Sequence, residues 1–218
     1  MKIAIIIPAY NEEDRIGETL KGLLKIGLPM VVVDDGSKDR TSLVAQKHAD
    51  YFLKHRINMG KGSAMKTGAE FAFKNGFEAV IYFDADGQHS TEDLSKFIDK
   101  LNDGYEIILG TRTYSYDVPL VRYIGNKFAS LLVSLLFGLY VSDLICGFRA
   151  LTKNAYKQII WESKGYGVET EMAVRISKTK LKMCEVPVKT IYLDSVKGVT
   201  LLDAFNILFQ VFKWRIEI

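Results

Sequence analysis

Asp84 and Asp86 stand two residues apart where the apolar run Ala79 to Phe83 ends, and Gln88 follows two further on. Side chains at i and i+2 of an extended segment project to the same side, so the two carboxylates are held together and repel. Oxygen donors in that arrangement suit a hard divalent cation, Mg²⁺ or Mn²⁺, and Gln88 offers one more oxygen. A D-x-D on its own reads equally as a polar turn closing a buried strand. The surrounding polar groups favour chemistry. Asp34-Asp35-Gly36-Ser37 closes the run Met30 to Val33, Pro8-Ala9-Tyr10-Asn11-Glu12 follows Ile3 to Ile7, and Gly110-Thr111-Arg112 follows Tyr105 to Leu109. Lys61, between Gly60 and Gly62, offers an amine and neighbouring backbone N–H groups to a phosphate, although the glycines serve equally for a tight turn before a helix.

The elements that must position these groups alternate. Short apolar runs near 3–7, 30–33, 51–54, 79–83 and 105–109 are separated by helical patterns through Ile16 to Leu24, Leu43 and Val44, Met65 to Ala72, and Leu94 to Leu101. Strand–helix alternation predicts an α/β fold with a mostly parallel central sheet flanked by helices. Ligands of such sheets sit beyond the carboxyl ends of the strands, where the polar groups cluster. The second half is less regular: a long helix from Arg122 to Val141, a loop from Asp143 into a strand near Arg149, a helix from Val168 to Lys178, and a late strand from Lys182 to Tyr192. Pro187 predicts an edge or a bulge for that strand. A last amphipathic helix is expected over Thr200 to Arg215.

A chain of 218 residues, 48% of them hydrophobic, suffices for a single domain. The net charge of +3, without a long basic run, argues against a nucleic-acid partner. Cys146 and Cys184 lack C-x-x-C spacing and are expected as free thiols in a reducing, cytoplasmic setting. No signal-peptide pattern precedes Pro8. The longest uncharged run, 128–142, falls short of the roughly 18 residues a spanning helix needs. The helices near 122–141 and 200–215 nevertheless carry apolar stripes (Leu131, Leu132, Leu135, Leu136 and Phe137; Leu201, Leu202, Phe205, Leu208, Phe209 and Phe212) that fit a membrane interface as well as a core.

Several functions are excluded by what is missing. The first strand is followed by no G-x-G-x-x-G, and Gly60-Lys61-Gly62-Ser63 lacks the remaining parts of a P-loop. A phospho-receiver reading of Asp34-Asp35 leaves Asp84, Asp86 and the second half unexplained. Gln210-Val211-Phe212-Lys213-Trp214 comes near the Gln-x-x-Arg-Trp of processive synthases but has Lys for Arg.

The segments Pro8 to Glu12, Val33 to Ser37, Gly60 to Gly62, Asp84 to His89, Gly110 to Arg112, Asp143 to Arg149 and Glu185 to Val188, taken in order, resemble a family 2 glycosyltransferase of GT-A fold, in the dolichol-phosphate mannose synthase-like branch. The resemblance spans nearly the whole chain. It implies that Pro8, Ala9, Tyr10, Asn11, Glu12 and Asp35 hold the base and ribose of a nucleotide sugar, GDP-mannose or UDP-glucose. It implies that Asp84, Asp86 and Gln88 bind the metal and its diphosphate, with Ala85 between them, and that Arg112 and Arg122 receive the phosphate of a polyprenyl or dolichyl acceptor on the cytoplasmic membrane face. A hydroxyl acceptor would need a carboxylate as general base, for which Asp143, Glu169 and Glu171 are open. A phosphate monoester, with its second ionisation near pH ~6, needs none. A non-catalytic nucleotide-sugar-binding protein is a further alternative.

Overall fold

The computed structural model describes residues 1–112, 120–165, 167–189, 191 and 209–216, and side chains other than those of 120–122. Seven strands form one sheet: β1 (Ile3–Ala9), β2 (Met30–Asp34), β3 (Tyr51–Lys54), β4 (Ala79–Tyr82), β5 (Ile107–Arg112), β6 (Arg149–Thr152) and β7 (Met183–Val188). Their order is β3-β2-β1-β4-β6-β5-β7. Every pairing is parallel except the two made by β6, which runs antiparallel between β4 and β5. The expected mostly parallel sheet is therefore present, with one reversed strand that the strand–helix alternation did not reveal. Pro187 lies on β7, which among the described residues is an edge strand bonded only to β5, where a residue without an N–H costs no ladder bond on the open side.

β1, β2 and β4 are buried along their whole length, which is why their sequences read as unbroken apolar runs rather than as alternations. Helices α1 (Ile16–Leu24), α2 (Thr41–Ala45), α3 (Lys61–Lys74), α4 (Leu94–Asn102), α5 (Leu120–Phe137), α6 (Lys153–Gln158) and α7 (Val168–Ile176) flank the sheet. One core face gathers Ile6, Val33, Met65, Tyr82, Trp161 and Met172, the other Ile5, Ile7, Leu20, Phe83, Phe97 and Phe148. Phe97 and Phe148 stack with centroids 4.1 Å apart. Gly68 lets α3 press on β1, since a Cβ there would stand 2.4 Å from the Ile6 Cγ2. The short α6, absent from the sequence reading, begins where the Thr152 hydroxyl accepts the Ala155 N–H at 3.2 Å.

α5 ends at Gly138, whose φ of +74° stops it short of the expected Val141. Its Val133 is buried, while Ile124, Phe128, Leu131 and Leu135 are exposed. Residues 209–216 are helical and rest on the core through Val211 and Trp214, with Phe209, Phe212 and Ile216 exposed. The remainder of the expected helix over Thr200 to Arg215 lies outside the described residues. Cys146 and Cys184 are free thiols. Among the described residues no helix is long and apolar enough to cross a membrane.

Candidate active site

The parallel register brings the carboxyl ends of β1, β2, β4 and β5 to one edge of the sheet, where a cleft of about 360 Å³ opens. It is lined by Pro8 and Ala9 at the end of β1 with Tyr10 and Glu12 just after it, Asp35 after β2, Asp84 to Asp86 with Gln88 after β4, and Arg112 ending β5. Lys61 and Glu169, at the starts of α3 and α7, close its floor with Gly147. Of the residues expected at the nucleotide, Asn11 is the one not in the wall: it sits at φ +53° and accepts the Lys38 N–H on Oδ1 at 2.9 Å, tying the first loop to the second. Arg122 lies on the first turn of α5, and its side chain is outside the described residues.

Asp35 is buried and spends its oxygens on structure. It accepts the N–H groups of Met59 and Gly60 at 2.9 and 2.7 Å and meets the His55 Nδ1 at 2.6 Å. His55 Nε2 in turn contacts the Thr67 hydroxyl at 3.0 Å, so one chain of bonds joins the end of β2 to α3. Sequence reading missed His55, because a single His after a short strand carries no motif.

The glycines around Lys61 serve packing. The Gly62 N–H donates to the Lys164 carbonyl at 2.6 Å, and a Cβ at Gly60 or Gly62 would stand 2.4 or 2.2 Å from the carbonyl oxygens of 164 and 163. The backbone donors of Gly60 and Gly62, which the sequence left open to a phosphate or to a tight turn, thus have protein partners. Glu171, one of the candidate bases, is fully buried and holds the same loop through the N–H groups of Glu162 and Ser163 while pairing with Arg175 at 2.6 Å.

At the acidic pair, Asp84 Oδ1 lies 2.8 Å from the Lys61 Nζ and Oδ2 3.2 Å from the His89 Nε2. Lys61 also reaches Glu169 at 2.9 Å. Burial alone would raise the Asp84 pKa, but the charge of Lys61 and the His89 hydrogen bond hold it well below the carboxylate range. Asp86 moves the opposite way: burial first, and then the charge of Asp84, push its pKa up, although it accepts the Gln88 N–H at 3.0 Å. Carboxylates driven apart in this manner by burial and mutual repulsion are a frequent feature of functional sites. Among the described residues no group of three or more His, Cys, Asp or Glu is disposed to hold a metal ion by itself. Mg²⁺ and Mn²⁺ fit that donor set, because such ions are commonly held by one or two carboxylates together with substrate phosphates.

At the far end of the cleft Arg112 grips Asp143 with both arms, Nε to Oδ2 at 2.7 Å and Nη2 to Oδ1 at 2.9 Å. Asn126 of α5 adds a bond to Asp143 at 2.8 Å. Burial would raise the Asp143 pKa, and the hydrogen bonds and charge of Arg112 outweigh it and lower it. Arg149 is buried and donates to the carbonyls of Leu144, Cys146 and Glu169 at 2.5 to 2.9 Å. It staples the loop behind the site. The Cys146 thiol, pushed by burial up to about 12, is no nucleophile at neutral pH.

Residues 4–160 match the model of glycosyl transferase family 2, and the chain belongs to that family. It is similar to an uncharacterised protein of Methanocaldococcus jannaschii, 39% identical over 99% of this chain and 93% of that one. It is also similar to a UDP-N-acetylglucosamine–dolichyl-phosphate N-acetylglucosaminyltransferase of Methanococcus voltae, 33% identical over 96% and 94% of the two chains. Among solved structures, glucosyl-3-phosphoglycerate synthase from Mycobacterium tuberculosis, crystallised with Mn²⁺, UDP-glucose and phosphoglyceric acid, superposes with a TM-score of 0.75. That likeness covers 99% of this chain and 79% of the other at 16% identity and shows a shared GT-A-like α/β fold. The protein is thus a glycosyltransferase of the nucleotide-sugar-dependent GT-A type.

Proposed function

We propose that the protein moves a hexose, mannose or glucose, from a nucleotide diphosphate sugar to a polyprenyl or dolichyl phosphate, with inversion, as a peripheral enzyme on the cytoplasmic face of a membrane. The observation that carries this reading is the state of the three candidate bases. Asp143 is clamped by Arg112, Glu169 pairs with Lys61, and Glu171 holds a loop and Arg175. A sugar hydroxyl needs a base to become a nucleophile, whereas a phosphate monoester is already anionic at neutral pH. The cleft therefore suits an acceptor that brings its own charged oxygen.

In this reading Tyr10, Glu12 and Asp35 bound the nucleotide end, and Asp84, Asp86 and Gln88 face the diphosphate. Arg112, presented by β5 and fixed by Asp143, would take the acceptor phosphate, for which a guanidinium is well shaped, with Arg122 as its second cation. A bound Mg²⁺ or Mn²⁺ would neutralise charge on the departing diphosphate. Asn126 links Asp143 to α5, so the acceptor end of the cleft adjoins the helix that exposes Ile124, Phe128, Leu131 and Leu135. These four fall at i, i+4, i+7 and i+11, one stripe of a 3.6-residue helix, and such a face suits shallow insertion at a lipid interface. The Methanococcus voltae relative, named for a dolichyl phosphate acceptor, lends support.

A thermal-shift screen tests the donor side. GDP-mannose, UDP-glucose and UDP-N-acetylglucosamine are each added with Mn²⁺ or with EDTA, since a ligand that binds only the native state adds about 2.7 kcal/mol of stability at a hundred times its dissociation constant and so raises the melting temperature. The expected result is a rise with one donor that needs Mn²⁺. No rise with any nucleotide sugar would overturn the reading.

A further inference from the structure

Lys61 occupies the position in which a cation would be expected. Its ammonium touches the carboxylates of Asp84 and Glu169 at 2.8 and 2.9 Å. The backbone is shaped around the contact: a Cβ on Gly147 would stand 2.5 Å from Asp84 Oδ2 and 2.7 Å from the Lys61 Nζ, so a side chain at 147 would displace the pair. His89 engages the other oxygen of Asp84. With Lys61 seated, both oxygens of Asp84 are in contact with nitrogen donors, and Asp86 is the carboxylate of the pair that remains away from any cation among the described contacts.

We propose that Lys61 is a resident counter-ion that makes divalent-metal binding conditional on the nucleotide diphosphate. This rests on the reading of Asp84 and Asp86 as metal ligands and adds a second seat to it. Lys61 bridges Asp84 and Glu169, so a divalent ion arriving without nucleotide meets its positive charge. When a nucleoside diphosphate enters, its oxygens complete the metal's ligand set, and Lys61 shifts its weight to Glu169 and the phosphate charge. Glu169 is then a positioning residue that gives the ammonium somewhere to go. Coupling between two ligands is reciprocal, so metal and nucleotide must strengthen each other by the same factor.

Mn²⁺ binding, followed by loss of the free-ion electron paramagnetic resonance signal, tests this without turnover. Wild type, Lys61→Met and Glu169→Gln are titrated alone and with saturating UDP or GDP. The wild type is expected to bind Mn²⁺ at least tenfold more tightly with one of the nucleotides than without. Lys61→Met should bind Mn²⁺ alone at least tenfold more tightly than wild type and show a smaller nucleotide effect. Glu169→Gln should go the other way, weakening Mn²⁺ binding both alone and with nucleotide. Mn²⁺ binding by Lys61→Met no tighter than by wild type, or tighter binding by Glu169→Gln, overturns the proposal while leaving the metal site standing. No Mn²⁺ binding by wild type with either nucleotide instead removes the metal site itself. Circular dichroism checks each variant's fold, and if Lys61→Met is unfolded the direction of the Glu169→Gln change decides.

Discussion

Replacing Asp143 by Asn separates an anchor from a base. Asp143 is 5% exposed and takes three bonds from Arg112, through its backbone N–H at 3.2 Å and through Nε and Nη2, with a fourth from Asn126. Removing one partner of a buried ion pair costs about 3 to 5 kcal/mol. Arg112 is 27% exposed and can partly rehydrate, so solvent screening places the cost near the lower end, about 3 kcal/mol. For a chain of this size about 2 to 4 °C is lost per kcal/mol, so the melting temperature should fall by roughly 6 to 12 °C. The folded pKa of Asp143 is depressed, so its contribution is present above the ordinary aspartate pKa and disappears as pH falls through the lower, folded value. The wild-type and Asn variants should therefore differ most near neutrality and converge in acid. In steady-state kinetics an untethered Arg112 should raise KM for the lipid phosphate with a small change in kcat. A general base would behave otherwise, with kcat down about 10² to 10⁴-fold and KM little changed. That kinetic pattern, or a melting temperature within 2 °C of wild type at pH 7, would refute the anchor role.

Asp86→Asn removes the charge that burial and Asp84 disfavour, so the variant should melt above the wild type at pH 7 in EDTA yet lose the Mn²⁺-dependent shift with nucleotide; a lower melting temperature in EDTA would contradict the assignment. Leu131→Ser with Leu135→Ser tests the membrane face: Leu135 is 76% exposed and Leu131 also lies outside the core, so unfolding stability should change by under about 0.5 kcal/mol per substitution while flotation with anionic liposomes at low salt is lost. Leu136 is unsuitable for that test because it packs against the core. Unchanged flotation would remove α5 from the interface.

The legible parts of this protein are those where one local signal suffices. Ile3–Ala9, Met30–Asp34 and Ala79–Tyr82 announce themselves because burial on both faces demands unbroken apolar runs. The acidic pair announces itself because it lies at the carboxyl end of such a run. The direction of β6 was hidden, since only pairing with β4 and β5 shows that Arg149–Thr152 runs backward between them. The partners of Lys61, Asp143 and Arg149 were equally hidden: Lys61 meets Glu169, 108 positions later, through the meeting of the starts of α3 and α7. Residue type says that a Lys beside two glycines can bind phosphate. Only the packed loop over Gly62 shows that the neighbouring N–H groups serve Lys164 and Asp35 instead.

The most direct test of the proposed transfer is an extraction assay. Purified protein, Mn²⁺, radiolabelled nucleotide sugar and a polyprenyl or dolichyl phosphate in detergent are incubated, and label is counted in the organic phase. The expected result is lipid-linked label that appears only with the phosphorylated lipid and disappears in EDTA and in a folded Asp86→Ala variant. Label carried equally by the unphosphorylated alcohol, or full transfer by Asp86→Ala in EDTA, would contradict it.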